Sequence, residues 1–120
     1  MINKNLNIFK FLNDNYKIFN NIEKINSSKF NFIFYSENKT YLKYSYLIIK
    51  SLSEKYPGQV CYVSSDHNDK IENLNVENFY IGNGFLRNFF FKSVATKNMF
   101  LTTTDLDNNE IKKNRNVLNY

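Results

Sequence analysis

The sequence predicts an α/β fold, a mostly parallel sheet flanked by helices. Three observations carry this expectation. Short runs such as Phe30–Tyr35 and Gln59–Ser64 are nearly all apolar, as in strands covered on both faces. Helical patterns stand between several of these runs. Each run ends in polar residues, as strands do where they leave a sheet for a solvated turn.

The first element, Asn5 to Ile25, reads as an amphipathic helix. Leu6, Phe9, Leu12, Tyr16, Phe19 and Ile22 recur at three- and four-residue steps, and Asn26-Ser27-Ser28 ends the pattern. Two readings stand: a helix packed on the sheet, or an interfacial helix with Lys10, Lys17 and Lys24 turned to anionic lipid. Strand one is Phe30–Tyr35, and a helix over Lys39–Tyr56 follows. Its expected inner side carries Tyr41, Leu42, Ser45, Ile48, Ile49 and Leu52, and Pro57-Gly58 stops it. Strand two is Gln59–Ser64. The polar connection from Asp66 to Asn75 has room for a single helical turn at most before strand three, Val76–Ile81.

Gly82-Asn83-Gly84 opens a further helix, Phe85 to Ala95. Its row of Phe85, Leu86, Phe89, Phe90 and Val94 is apolar over more than half its girth and is expected to be deeply packed. Strand four is Asn98–Thr103. Val117 to Tyr120 reads as the start of a fifth strand. The expected organisation is an N-terminal amphipathic helix over 1–28 and a half-domain over 29–120, truncated at its C-terminal end.

Composition narrows the classes. A chain of 120 residues is one domain's worth, and 18% aromatic residues supply much of the burial. The net charge of +5 is spread along the chain as single lysines, which speaks against a nucleic-acid footprint. The one dense basic cluster is Lys112-Lys113-Asn114-Arg115. The single cysteine, Cys61, lies in an apolar run and is expected to be a buried thiol. No secretory signal is evident, and no apolar run approaches the ~20 residues that cross a bilayer.

In a parallel sheet the strand ends share one crevice. The candidate ligand-binding residues are therefore Ser36 and Glu37 after strand one, Asp66 after two, Gly82, Asn83 and Gly84 after three, and Asp105 after four. Glycines before a helix let backbone N–H groups approach an anion, and Arg87 stands within reach of the same anion. A tight turn explains these glycines equally well. Gly-x-Gly with Arg87 in place of the third glycine is a poor dinucleotide fingerprint, and there is no phosphate-binding loop ending in Gly-Lys-Ser or Gly-Lys-Thr. His67, the one histidine, has no partner at metal spacing and reads as a surface residue. No cofactor and no metal site is expected.

The segments FIFYSENKTY, VCYVSSDHND, FYIGNGFLRNFFF and FLTTTDLDNNEIKKNRN, in this order, resemble the amino-terminal part of bacterial CDP-glycerol glycerophosphotransferase-like proteins. These are transferases of teichoic-acid and polysaccharide biosynthesis. The resemblance covers about Phe30 to Tyr120. It implies a Rossmann-like domain that is the amino half of a GT-B-type fold. It also implies transfer of a polyol-phosphate unit from a CDP-activated donor to a membrane-linked cell-envelope polymer. Catalytic residues would lie beyond Tyr120, so this stretch would be inactive alone. The implied location is cytoplasmic, either free or peripheral on the inner face of the cell membrane. Lys112, Lys113 and Arg115 would face phosphates or the membrane. Asn38 stands where the pattern has Gly, on the expectation that Asn tolerates a left-handed turn, and Thr104 where it has Pro. The alternative is a stand-alone flavodoxin-like module that binds a phosphorylated ligand without catalysis.

Overall fold

The computed structural model describes residues 2–94, 96, 98–102 and 116–119, and the side chains of these except 2–7 and 119. The fold is α/β: a five-stranded sheet, parallel at every pairing, with helices on both faces. In chain order the strands are β1 (Phe32–Ser36), β2 (Val60–Ser64), β3 (Glu77–Tyr80), β4 (Asn98–Leu101) and β5 (Asn116–Asn119). Their order across the sheet is β3-β2-β1-β4-β5. The chain builds outward from β1 to β3 and then crosses back to lay β4 on the other side of β1. This is the Rossmann order, not the flavodoxin-like one.

Helix α1 (Ile2–Ser28) precedes β1, and the left-handed Lys29 (φ 53°) turns the chain out of it. A 3-10 turn (Lys39–Tyr41) leads into α2 (Leu42–Lys55), and α3 (Phe85–Ser93) links β3 to β4. Gly58 (φ 75°) turns the chain from α2 toward β2, where Gln59 N–H bonds back to the Tyr56 carbonyl. The β2–β3 connection contains turns and no helix.

Strand periodicity divides the core in two. Ile33, Tyr35, Cys61, Val63, Met99 and Leu101 face α1 and α3, meeting Ile18, Ile22 and Ile25 and also Leu86, Phe90 and Phe91. Phe34, Val60 and Tyr62 face α2 through Ile49, with Ile71 beside them. Phe34 stacks on Phe100 at 4.2 Å, tying β1 to β4 on that face.

Three sequence expectations need correction. Among the described side chains, α1 packs on the sheet through Ile18, Ile22 and Ile25 of its second half; of the expected row Ile22 is buried, whereas Phe9, Leu12, Tyr16 and Phe19 lie on a separate, exposed stripe. Both stripes have three- and four-residue spacing, so periodicity alone does not choose between them. On α2, Ser45, Ile49 and Ser53 are buried while Ile48 is exposed. On α3, Phe91 is buried with Phe90 and Leu86, whereas Phe85 and Phe89 face outward.

Burial makes the expected stability effects uneven. Phe90→Ala, at 0% exposure, is expected to cost about 3–5 kcal/mol. Leu47→Ala, at 74% exposure on α2, is expected to stay within ~0.5 kcal/mol. Urea denaturation followed by circular dichroism measures both. Equal losses at the two positions would contradict the core described here.

Candidate functional site

The carboxyl ends of the strands meet along one rim because every pairing is parallel. Ser36 is in register with Ser64, and Ser64 with Tyr80. Past the strands the ladder continues: Ser65 N–H donates to the Ser36 carbonyl at 3.0 Å, and Ile81 N–H to the Ser64 carbonyl at 2.9 Å. The chain reverses its direction of travel across the sheet between β1 and β4, and ligands of open α/β sheets bind outside such a point. Here Glu37 N–H donates to Thr102 Oγ1 at 3.1 Å, tying the two strand ends together.

Beside this tie is a hydroxyl chain. Ser65 Oγ donates to the Gly82 carbonyl at 2.5 Å, which leaves it to accept from the Tyr35 hydroxyl at 2.7 Å. Tyr35 is buried against Phe91, with their rings 4.9 Å apart, and the Arg87 guanidinium lies 5.9 Å from the Tyr35 ring centroid. Burial raises the Tyr35 phenol above its ordinary pKa; the Ser65 bond and the Arg87 charge oppose the rise, and Glu37 adds to it. Three side chains, Glu37 and Ser65 from two loops and Arg87 from α3, thus act on Tyr35 of β1. They offer a cation, a carboxylate and hydroxyls, groups suited to a phosphate and to the hydroxyls of a polyol.

Gly82 holds this corner. Its φ is +67°, and an added Cβ would lie 3.2 Å from Ile18 Cδ1 and 3.7 Å from Tyr80 Oη. Gly84 is the extended N-cap of α3, and Arg87 N–H bonds to its carbonyl at 3.1 Å. Asn83 is exposed between them. His67 is exposed yet stacks on the Tyr80 ring at 3.9 Å, so the lone imidazole packs at the rim by its face.

Several candidates have structural employment. Ser36 is buried and donates to the Asn38 carbonyl at 2.6 Å, closing its own turn. Asp66 accepts from Asn68 N–H at 3.0 Å and from Lys39 N–H at 3.4 Å. It braces its own loop and the one after β1. Asn38 is not left-handed: it is extended (φ -161°) and caps the 3-10 turn, its side chain accepting from Thr40 N–H at 3.0 Å. Asp105, Lys112, Lys113 and Arg115 lie outside the described residues, as does Thr104.

Sequence reasoning missed Asp69. Its carboxylate is 3% exposed and accepts from the Tyr62 hydroxyl at 2.8 and 2.9 Å and from Ser64 Oγ at 2.8 Å. Ser64 Oγ in turn accepts from Asp66 N–H at 3.0 Å. The available signal was a polar pair, Tyr62 and Ser64, spaced two apart on one face of an otherwise apolar strand.

Comparison of the chain with known proteins finds no matching family model, no matching curated protein and no matching solved structure. Among the described residues, no helix is long and apolar enough to cross a membrane.

Two outcomes are expected. Asp69→Ala strands two buried hydroxyls and should cost roughly 2–4 kcal/mol, more than Ser65→Ala, when urea midpoints are compared. Burial raises the Cys61 thiol well above its ordinary pKa. Above the ordinary thiol range the unfolded chain therefore loses a proton that the folded one keeps. Stability should fall as pH rises through that window, and a Cys61→Ala variant should lose that part of the slope. A thiol that alkylates in the folded protein as fast as in urea would contradict the burial.

Proposed function

We propose that this chain is the amino-terminal α/β half of a glycerophosphotransferase-like enzyme, one that moves a polyol-phosphate unit from a CDP-activated donor to a membrane-linked cell-envelope polymer. The observation that carries the reading is the rim cluster of Tyr35, Glu37, Ser65 and Arg87 beside the reversal point between β1 and β4. Attack of a hydroxyl on phosphorus needs the hydroxyl held and oriented, and it needs positive charge near the phosphate. Glu37 is half-buried at the β1 tip and suits the first task; Arg87 in the first turn of α3 suits the second. The sequence resemblance over Phe30 to Tyr120 is what supports glycerol phosphate as the unit transferred and the cytoplasmic side of the membrane as the location. The transfer step itself would rest on residues outside this stretch, so the role of this half is to bind and orient.

A second reading is favoured by the same cluster taken alone: a stand-alone module that binds a phosphorylated ligand without catalysis. Titrating the 120-residue protein with glycerol phosphate and with CDP, followed by amide chemical shifts, separates the two. The transferase reading expects weak glycerol-phosphate binding centred on residues 35–38, 65 and 82–87. It also expects CDP-glycerol transfer when the chain is joined to its natural downstream sequence. Arg87→Ala is expected to weaken that binding by about 10-fold, the worth of one charge-assisted bond. Tight CDP binding by the chain alone would favour the module. Shifts confined to other surfaces would remove both.

A further inference from the structure

We propose that Asn83 is a self-modification site: the Gly84 backbone nitrogen closes on the Asn83 side chain, and the amide there converts spontaneously to a carboxylate. The Gly82-Asn83-Gly84 turn holds the only Asn-Gly pair in the sequence. A backbone nitrogen and the side chain just before it are already tethered together, so their reaction is governed by access and orientation. A glycine has no Cβ to crowd that nitrogen and leaves the backbone free to turn toward the amide.

The folded turn keeps this route open. Asn83 and Gly84 are both exposed. Among the described residues the Asn83 side-chain amide has no hydrogen-bond partner and the Gly84 N–H has no acceptor. A Cβ added at Gly84 would meet nothing within 4 Å, so the space in which a ring would close is empty. The bonds that shape the turn lie to either side of the reacting pair. The Gly82 carbonyl accepts from Ser65 Oγ at 2.5 Å, and the Gly84 carbonyl accepts from Arg87 N–H at 3.1 Å. Other asparagines lack this combination. Asn38 accepts from Thr40 N–H at 3.0 Å and precedes Lys39. Asn78 is bonded to both backbone groups of Ile71 and precedes Phe79. Asn21 donates to the Tyr80 carbonyl at 2.9 Å and precedes Ile22.

The step needs only water and hydroxide. Hydroxide takes the Gly84 N–H proton, and the nitrogen bonds to the Asn83 side-chain carbonyl carbon. The bond from that carbon to the side-chain nitrogen breaks, and ammonia leaves with a proton from water. Water then opens the resulting cyclic imide at either carbonyl, giving aspartate or isoaspartate. The new carboxylate stands directly before the N-cap of α3, with Arg87 in the first turn. The helix N-terminus and the guanidinium both favour negative charge there. A consequence follows that rests on the binding role proposed above. The carboxylate competes with a ligand phosphate for Arg87, so the turn closes its own site as it ages.

Incubating the whole folded chain in mildly alkaline buffer and mapping its peptides by mass spectrometry tests the modification. The mass gain of amide-to-acid exchange is expected first at Asn83, with isoaspartate among the products. Gly84→Ala places a methyl group in open space at φ -92° and should slow the gain several-fold with unchanged circular dichroism. No gain at Asn83 in the folded chain, under conditions where the urea-unfolded chain reacts, overturns the proposal. So does a faster gain at another of the described asparagines, or a Gly84→Ala variant that reacts at the wild-type rate. Titrating the wild type and Asn83→Asp with glycerol phosphate reads the consequence separately. Asn83→Asp should bind about 10-fold more weakly, the worth of one charge-assisted bond. Equal binding by the two overturns the competition for Arg87. A wild type that binds no glycerol phosphate counts against the transferase reading instead, and the mass measurement still decides the modification.

Discussion

The register of β1 against both of its neighbours is the constraint on which the rest depends. β1 pairs in parallel with β2 over five residues and with β4 over three. Being central, it is covered on both faces: Ile33 and Tyr35 toward α1 and α3, Phe34 toward α2. A shift of one residue would exchange those faces, turning the Tyr35 hydroxyl away from Ser65 and Arg87. The same register aligns Ser36 with Ser64 and brings Glu37 to Thr102. The core and the rim are thus fixed by one pairing.

The rim is polar but not loosely so. Ser36, Ser64 and Asp69 are buried, and each is hydrogen-bonded. Unpaired, such groups would each oppose folding by about 1–3 kcal/mol; paired, they lock the loops that leave the sheet. The carboxylate of Asp69 anchors Ser64, Ser64 holds the start of the loop carrying Asp66, and Asp66 reaches the turn after β1. Rigidity at the rim therefore comes from side chains facing α2, while Glu37 and Arg87, which act on Tyr35, lie nearer the β1–β4 reversal and α3. Support and the candidate ligand groups occupy different parts of one edge.

Helix α1 joins the rim to the exposed apolar face. Its sheet-bound half presses Ile18 against Gly82, whose carbonyl ends the hydroxyl chain from Tyr35. At Gly82 an added Cβ would come to 3.2 Å from Ile18 Cδ1, and the φ of +67° favours glycine.

The five strands, three helices and the parallel sense of the sheet were legible from the sequence, because apolar runs of five or six residues between helical patterns have few other solutions. Polar strand ends likewise marked Ser36, Glu37, Asp66 and Gly82 as rim residues. Three things were decided only in three dimensions. Periodicity offered α1 two equivalent stripes, and packing against the sheet chose Ile18, Ile22 and Ile25 over Phe9, Leu12 and Tyr16. Burial gave Asp69 a structural task that its polar loop had not suggested. The cluster of Tyr35, Ser65 and Arg87 joins residues far apart in the chain, and only the sheet's register brings them within reach. Local pattern is written into each segment by its own side chains, whereas proximity between segments is a property of their packing.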